Sequence, residues 1–319
     1  MSTQRRPDGS LRHLITLEGV TRAEITGLLD AAQGYVRRLG EAPPSNRSLA
    51  GLTIANLFTE PSTRTRVSFD LAGRRLGAEV INIEVQLSSR AKGESMLDTV
   101  HTLESLHFDV FVIRDAEPGV VAHVAANVAP HVSVLSAGEA HLSHPTQGLL
   151  DALTIRQYKG AIDQLCVAIV GDVRHSRVAR SAYEVLKALG VRELRLVAPR
   201  GLMPESDEFP GCTRSGDLDA ALVGCDVVMM LRIQKERMTA AAIPDGEQYF
   251  ARYGLTLPRL RRAQPDAIVM HPQPMNRGIE IASEVADGPQ SVIRSQVSNG
   301  VAVRMAVLQA VTRRPSGPP

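Results

Sequence analysis

Short apolar runs alternate with helix-period stretches along most of the chain, and this alternation constrains the fold more than any single motif. The runs Leu52–Phe58, Val80–Val85, Val110–Ile113 and Val132–Leu135 are too short for buried helices, and they lack the polar alternation of a half-exposed strand. Helical patterns fill the gaps: one after Ser62 with Val67, Leu71, Ala72 and Leu76 on one face, then Ser95–Leu106 and Val120–Asn127. Upstream, Thr21 and Glu24 form a capping box for a helix with the stripe Ile25, Leu28, Leu29, Ala32, Val36. After a long pattern at Leu149–Tyr158 the alternation resumes. Strands Cys166–Val170, Glu193–Val197, Val227–Leu231 and Ala267–His271 bracket helices Val178–Leu189 and Leu218–Val223 and a polar stretch to about Gly254. A terminal helix follows at roughly Val301–Val311. Strands alternating with helices build parallel sheets covered on both faces. The expected fold class is α/β, with two doubly wound parallel-sheet domains joined by interdomain helices near Gln147–Ala152; 319 residues suffice for two cores.

Composition removes several classes of function. Lys+Arg 36 against Asp+Glu 34 leaves a net charge of +2, no footprint for nucleic acid or a membrane surface. Aromatic content of 3% without tryptophan offers few stacking platforms for single strands. Cys166, Cys212 and Cys225 are far apart and form no C-x-x-C pair, which suits a reducing cytoplasm. The N-terminus lacks an apolar signal core, and no apolar run reaches membrane-spanning length. The expectation is a soluble, cytoplasmic protein. No cofactor is expected: GDVRHSR around Asp172 lacks dinucleotide spacing, and His131, His141 and His144 lack metal-ligand partners. No G-x-S-x-G elbow is present.

In open parallel sheets ligands bind beyond the carboxyl ends of strands, and the candidate polar residues fall there. TEPSTRTRVSF follows the first strand, and Ser62 or Thr63 is placed to cap the next helix. Arg64 and Arg66 then sit in its first turn, against the helix macrodipole. An anion reverses that penalty, because backbone N–H groups, hydroxyls and guanidinium forks converge on its oxygens. Ser88 and Lys92 follow the second strand, Arg114 ends the third, and His144 and Gln147 follow the fourth. Arg177, Arg232 with Gln234, and His271–Pro274 follow strands of the second half; all these ends are expected to line one cleft. Taken singly, Arg114 reads equally as a snorkelling strand-end arginine, His144 as a cap before Pro145, and Lys92 as a solvated loop lysine. Arg177 and Arg232 read equally as salt-bridged structural residues.

The set EPSTRTRVSF, HPTQ, LRIQKER and MHPQP, in this order and spacing, resembles the aspartate branch of the transcarbamoylase family over essentially the whole sequence. The resemblance implies transfer of a carbamoyl group from carbamoyl phosphate to L-aspartate, giving N-carbamoyl-L-aspartate and phosphate in pyrimidine synthesis. It implies a carbamoyl-phosphate domain over 1–150, an aspartate domain over 151–291, and a C-terminal helix 292–319 returning to the first. It also implies a homotrimer with shared active sites, leaving regulatory chains or a dihydroorotase open as partners. By the same resemblance, Ser62, Thr63, Arg64 and Thr65 hold the phosphate. Thr65, Arg114 and His144 contact the carbamoyl oxygen, with Gln147 near the amide and the Pro272–Gln273–Pro274 backbone receiving the NH₂. Ser88 and Lys92 reach into a neighbour's site, where Lys92 serves both substrates. Arg177, Arg232 and Gln234 take the aspartate carboxylates, and Arg64, Thr65, Arg114, His144 and Lys92 form the catalytic set. A relative using ornithine shares STRTR and HPTQ but carries HCLP in place of HPQP and lacks R-x-Q-K-E-R. Thr59, Ala91 and Gln273 depart from the commonest aspartate pattern. The alternatives are another amine acceptor, such as ornithine, and a catalytically silent scaffold.

Overall fold

The computed structural model describes residues 3–37, 40–42, 46–84, 93–234 and 245–313. The chain forms two compact units, Met1–Leu149 with Ser298–Pro319, and Leu150–Val297.

The first unit runs α1 (Arg22–Gln33), β1 (Thr53–Phe58), α2 (Thr63–Arg75), β2 (Glu79–Ile83), α3 (Met96–Ser105), β3 (Val110–Asp115), α4 (Val120–Asn127) and β4 (Ser133–Glu139). Its strands are all parallel in the order β2-β1-β3-β4. Capping boxes at Thr21/Glu24 and Ser95/Asp98 start α1 and α3. Beneath the sheet, Leu57, Met96, Val100, Phe111, Val121 and Val134 belong to one buried cluster. The expected stripe on α2 holds at Ala72 and Leu76, both fully buried, and is corrected at its other two positions. Val67 and Leu71 are exposed, while Thr65, Phe69, Ala72 and Gly73 face inward. Phe69 buries far more apolar surface than Val67, so it sets the helical phase. Gly73 permits the close approach: a Cβ there would meet Val80 at 2.6 Å.

The chain leaves the first unit within α5 (Pro145–Lys159) and returns to it within α11 (Ile293–Thr312). Between them lie β5 (Cys166–Val170), α6 (Arg177–Ala188), β6 (Glu193–Val197), β7 (Thr213–Ser215), α7 (Leu218–Ala221), β8 (Val227–Met230), α8 (Gly246–Tyr253), α9 (Leu257–Leu260), β9 (Ile268–Met270) and α10 (Ser283–Ala286). This sheet is also all parallel, ordered β7-β6-β5-β8-β9. β5 is buried throughout, and α6 buries Ala179, Ala182, Val185 and Leu186 at helical spacing. The polar stretch before Gly254 is corrected in part: it contains α8, capped by Asp245 and anchored by Tyr249 and Tyr253 one turn apart. The terminal helix begins eight residues before the expected Val301, because its first turns bury Gln296 and Asn299 rather than an apolar stripe. Among the described residues, no helix is long and apolar enough to cross a membrane.

Candidate active site

Each sheet has a topological switch point, the place where ligands bind in open α/β folds. In the first sheet the chain adds β2 on one side of β1 and then β3 and β4 on the other, so the crevice opens beyond β1 and β3. In the second, β6 and β7 lie on one side of β5, and β8 and β9 on the other, which opens the crevice beyond β5 and β8.

Beyond β1 the chain turns through Glu60–Ser62 into α2. Ser62 occupies the N-cap position, but its hydroxyl makes no capping hydrogen bond, and the first turn carries no acid. The first intrahelical bond is Arg66 N–H to the Ser62 carbonyl at 3.0 Å. Arg64 is exposed and Thr65 buried. Electrostatically this is an N-terminus suited to an anion. Register pairs Phe58 with Arg114, so the arginine stands beside the corner. Thr59 binds the Arg114 carbonyl through its N–H (3.0 Å) and hydroxyl (3.2 Å). The guanidinium lies 3.2 Å from the Glu60 carboxylate and donates to the Ala137 carbonyl at 3.2 Å. Ladder register shifts at this point of β3, which gives Arg114 an irregular position. On the other side of β3, β4 leads through a tight turn to His144 and α5. Pro145 is the first helical residue, and the His144 carbonyl accepts from Gln147 at 2.9 Å. His144 and Gln147 are both buried.

Beyond β5, Gly171 brings the chain close to the strand end of β8. Its φ is +126°, and a Cβ there would meet the Leu231 carbonyl at 2.9 Å. Asp172 follows, fully buried. One carboxylate oxygen accepts from His175, ring Nδ1 at 2.8 Å, and the other from the Gln234 N–H at 3.4 Å. The Gln234 amide donates back to the His175 carbonyl at 3.1 Å. Arg177 is the first residue of α6, buried, again in a first turn without an acid. The two loops carrying Arg177 and Arg232–Gln234 are thus stitched together. Pro272–Pro274 follow β9, where Gln273 has a φ of +56°. Ser88 and Lys92, and the Lys235–Arg237 part of LRIQKER, lie outside the described residues.

The supporting residues escape sequence reasoning. Glu139 at the end of β4 is buried and accepts from the Val121 N–H at 2.8 Å, supplying the cap that Gly119 cannot give α4. Burial pushes its carboxyl above the usual range, partly offset by the Val121 and Gly119 backbone amides. Burial likewise raises Asp172 against the opposing pull of His175. The one available signal is at Asp172, an acid two residues beyond the wholly apolar strand β5, where a solvated carboxylate has no place.

Residues 12–157 match the model of the aspartate/ornithine carbamoyltransferase carbamoyl-phosphate-binding domain, and residues 163–311 match that of the aspartate/ornithine-binding domain. The chain is similar to aspartate transcarbamoylase from Trypanosoma cruzi in complex with carbamoyl aspartate and phosphate, with a TM-score of 0.85 and 32% identity over 98% of each chain. The ligand-free form of that enzyme gives a TM-score of 0.80 at 29% identity over 98% of each chain. Ornithine carbamoyltransferase from Thermus thermophilus gives 0.82 at 24% identity, covering 95% of this chain and 99% of that one, a likeness of fold alone.

Proposed function

Since the chain belongs to the aspartate/ornithine carbamoyltransferase family and is a carbamoyltransferase, we propose that its acceptor is the α-amine of L-aspartate and its product N-carbamoyl-L-aspartate, an intermediate of pyrimidine synthesis. The observation that carries this reading is the β5–β8 switch point, where Arg177 and the Arg232–Gln234 segment leave neighbouring strand ends. A dicarboxylic amine calls for two fork-shaped cations, and these arginines supply them.

In this reading Ser62, Thr63, Arg64 and Thr65 bind the phosphate. Thr65, Arg114 and His144 donate to the carbamoyl oxygen as negative charge develops on it. Gln147 and the Pro272–Pro274 backbone orient the amide end. The neutral amine attacks the carbonyl carbon, the C–O bond to phosphate breaks, and the departing phosphate accepts the amine proton. Positioning and charge stabilisation suffice, so no covalent enzyme intermediate forms. Ser88 and Lys92 complete the phosphate site from a neighbouring copy in a homotrimer, which light scattering would register as three times the chain mass.

The deciding experiment measures phosphate release from carbamoyl phosphate with aspartate, ornithine and other amines offered separately. Aspartate-dependent release is expected. Release that depends on ornithine and ignores aspartate would overturn the assignment.

A further inference from the structure

His271 follows β9 directly and is almost wholly buried, as are Glu280 and Gln296. Its backbone N–H donates to Gln296 Oε1 at 2.9 Å, and the Gln296 amide donates to Asp151 at 2.8 Å. Its ring makes two contacts of opposite kind. The Gln273 N–H lies 2.9 Å from Nδ1. A backbone N–H can only donate, so Nδ1 carries a lone pair. The ring proton of the neutral imidazole is therefore on Nε2, which faces Glu280 Oε1 at 3.3 Å. The same Glu280 oxygen accepts the Asn276 N–H, and the Glu280 carbonyl accepts from Leu255 at 3.0 Å. Both ends of the 271–280 loop are thus tied through one imidazole–carboxylate pair.

What the pair restrains is Gln273. Its φ of +56° is a left-handed backbone that a residue with a Cβ seldom adopts, and it persists only where surroundings hold it. The held N–H is the one donated to His271. We propose that His271 is a positioning residue: Glu280 fixes it as the Nε2–H tautomer, and Nδ1 then locks Gln273 so that the Pro272–Pro274 backbone meets the carbamoyl NH₂. The proposal rests on the carbamoyl-transfer reading above. Glu280 plays the part a carboxylate plays behind any oriented imidazole, selecting which ring nitrogen faces the working side.

Two substitutions separate the nitrogens. His271→Asn places an amide oxygen near the position of Nδ1 and keeps the acceptor for Gln273. His271→Gln extends to the Nε2 position and loses it. The Gln variant is expected to lower kcat/KM for carbamoyl phosphate by about 10- to 100-fold, the scale of a displaced orienting contact. Binding of inorganic phosphate should stay within about twofold, the same allowance used for no effect. His271→Asn should recover most of the lost kcat/KM. A folded Gln variant with unaltered kcat/KM, or an Asn variant as impaired as the Gln variant, would overturn the proposal. Should either variant fail to fold, neutron diffraction of the native protein decides: a proton on Nε2 is expected, and one on Nδ1 overturns it. The kinetic comparison uses whichever acceptor the native protein accepts, so a wrong acceptor assignment leaves this test intact.

Discussion

Arg114, proposed to donate to the carbamoyl oxygen, shows how a strand end holds a side chain in place. Its carbonyl is occupied by Thr59, and its guanidinium is steadied by Glu60 and the Ala137 carbonyl, so the side chain is oriented before any substrate arrives. Removing a donor of this kind costs about 3–4 kcal/mol of transition-state stabilisation. Arg114→Ala should therefore lower kcat by roughly 100- to 1,000-fold, with little change in inorganic phosphate affinity. In the proposed reading, Arg232→Ala should instead raise the KM for aspartate and spare kcat, as expected for a contact common to the ground and transition states. Steady-state kinetics with each substrate varied separates the two outcomes. The side chains proposed to meet substrate were named from the order and spacing of EPSTRTRVSF, HPTQ, LRIQKER and MHPQP, since each residue taken singly has a structural use as well. Glu60, Asp172 and Glu280 were not, since an acid in a loop string looks the same whether it is solvated or paired with an oriented arginine or histidine. Asp172 illustrates the point: the motif around it excluded a dinucleotide, yet the residue joins the β5 and β8 loops.

At the scale of elements, β5 was readable as a wholly buried run and β6 as an alternation that turns Leu194 and Leu196 inward. Both fall on the limits expected from the sequence. β7 escaped because its three residues, Thr213–Ser215, are an edge strand with no apolar pattern. α8 escaped because two tyrosines one turn apart are its whole buried face. Another element without a signature is the N-terminal segment, which runs along β4. Leu14 donates to Val134 and accepts from Ser136, while the buried His13 ring accepts the Val134 N–H at 2.8 Å through Nδ1. Burial, with Arg12 and Arg6 nearby, lowers His13 from the ordinary 6.5 to about 3. The folded protein thus keeps His13 neutral where the unfolded chain protonates it. The unfolded state binds the additional proton between pH 6.5 and about 3, so stability falls as the solution is acidified through that window and is complete above it. From pH 6.5 to 4.5 this amounts to about 2–3 kcal/mol. His13→Asn keeps an acceptor near Val134 without the titration. Urea unfolding at pH 7.5 and 4.5 should show a smaller acid loss in the variant, and equal losses would refute the assignment.

At the scale of the molecule, the first unit is assembled from two stretches far apart in sequence, Met1–Leu149 and Ser298–Pro319. The later stretch includes α11 from Ser298 onward, whose Val303, Ala306, Val307, Leu308 and Val311 are buried. It is tied in by polar contacts as well: Ser133 donates to the Val311 carbonyl at 2.9 Å, Arg6 reaches the same carbonyl, and the Tyr35 hydroxyl meets Gln309. The Arg304 guanidinium stacks 4.9 Å from the Phe69 ring, beneath the helix that carries Arg64, and burial lowers its pKa to about 10. Each large aliphatic side chain buried here contributes about 1.5–3 kcal/mol, and a folded domain is stable by only about 5–15 kcal/mol in total. Deleting residues 298–319 removes none of the residues proposed to meet substrate, yet it takes away a sum comparable with that whole margin. The truncated protein should therefore lose phosphate-induced thermal stabilisation and expose the β1–β4 region to limited proteolysis, while the region between α6 and β9 stays resistant. Undiminished phosphate binding after truncation would mean that the first 149 residues hold the cradle without α11.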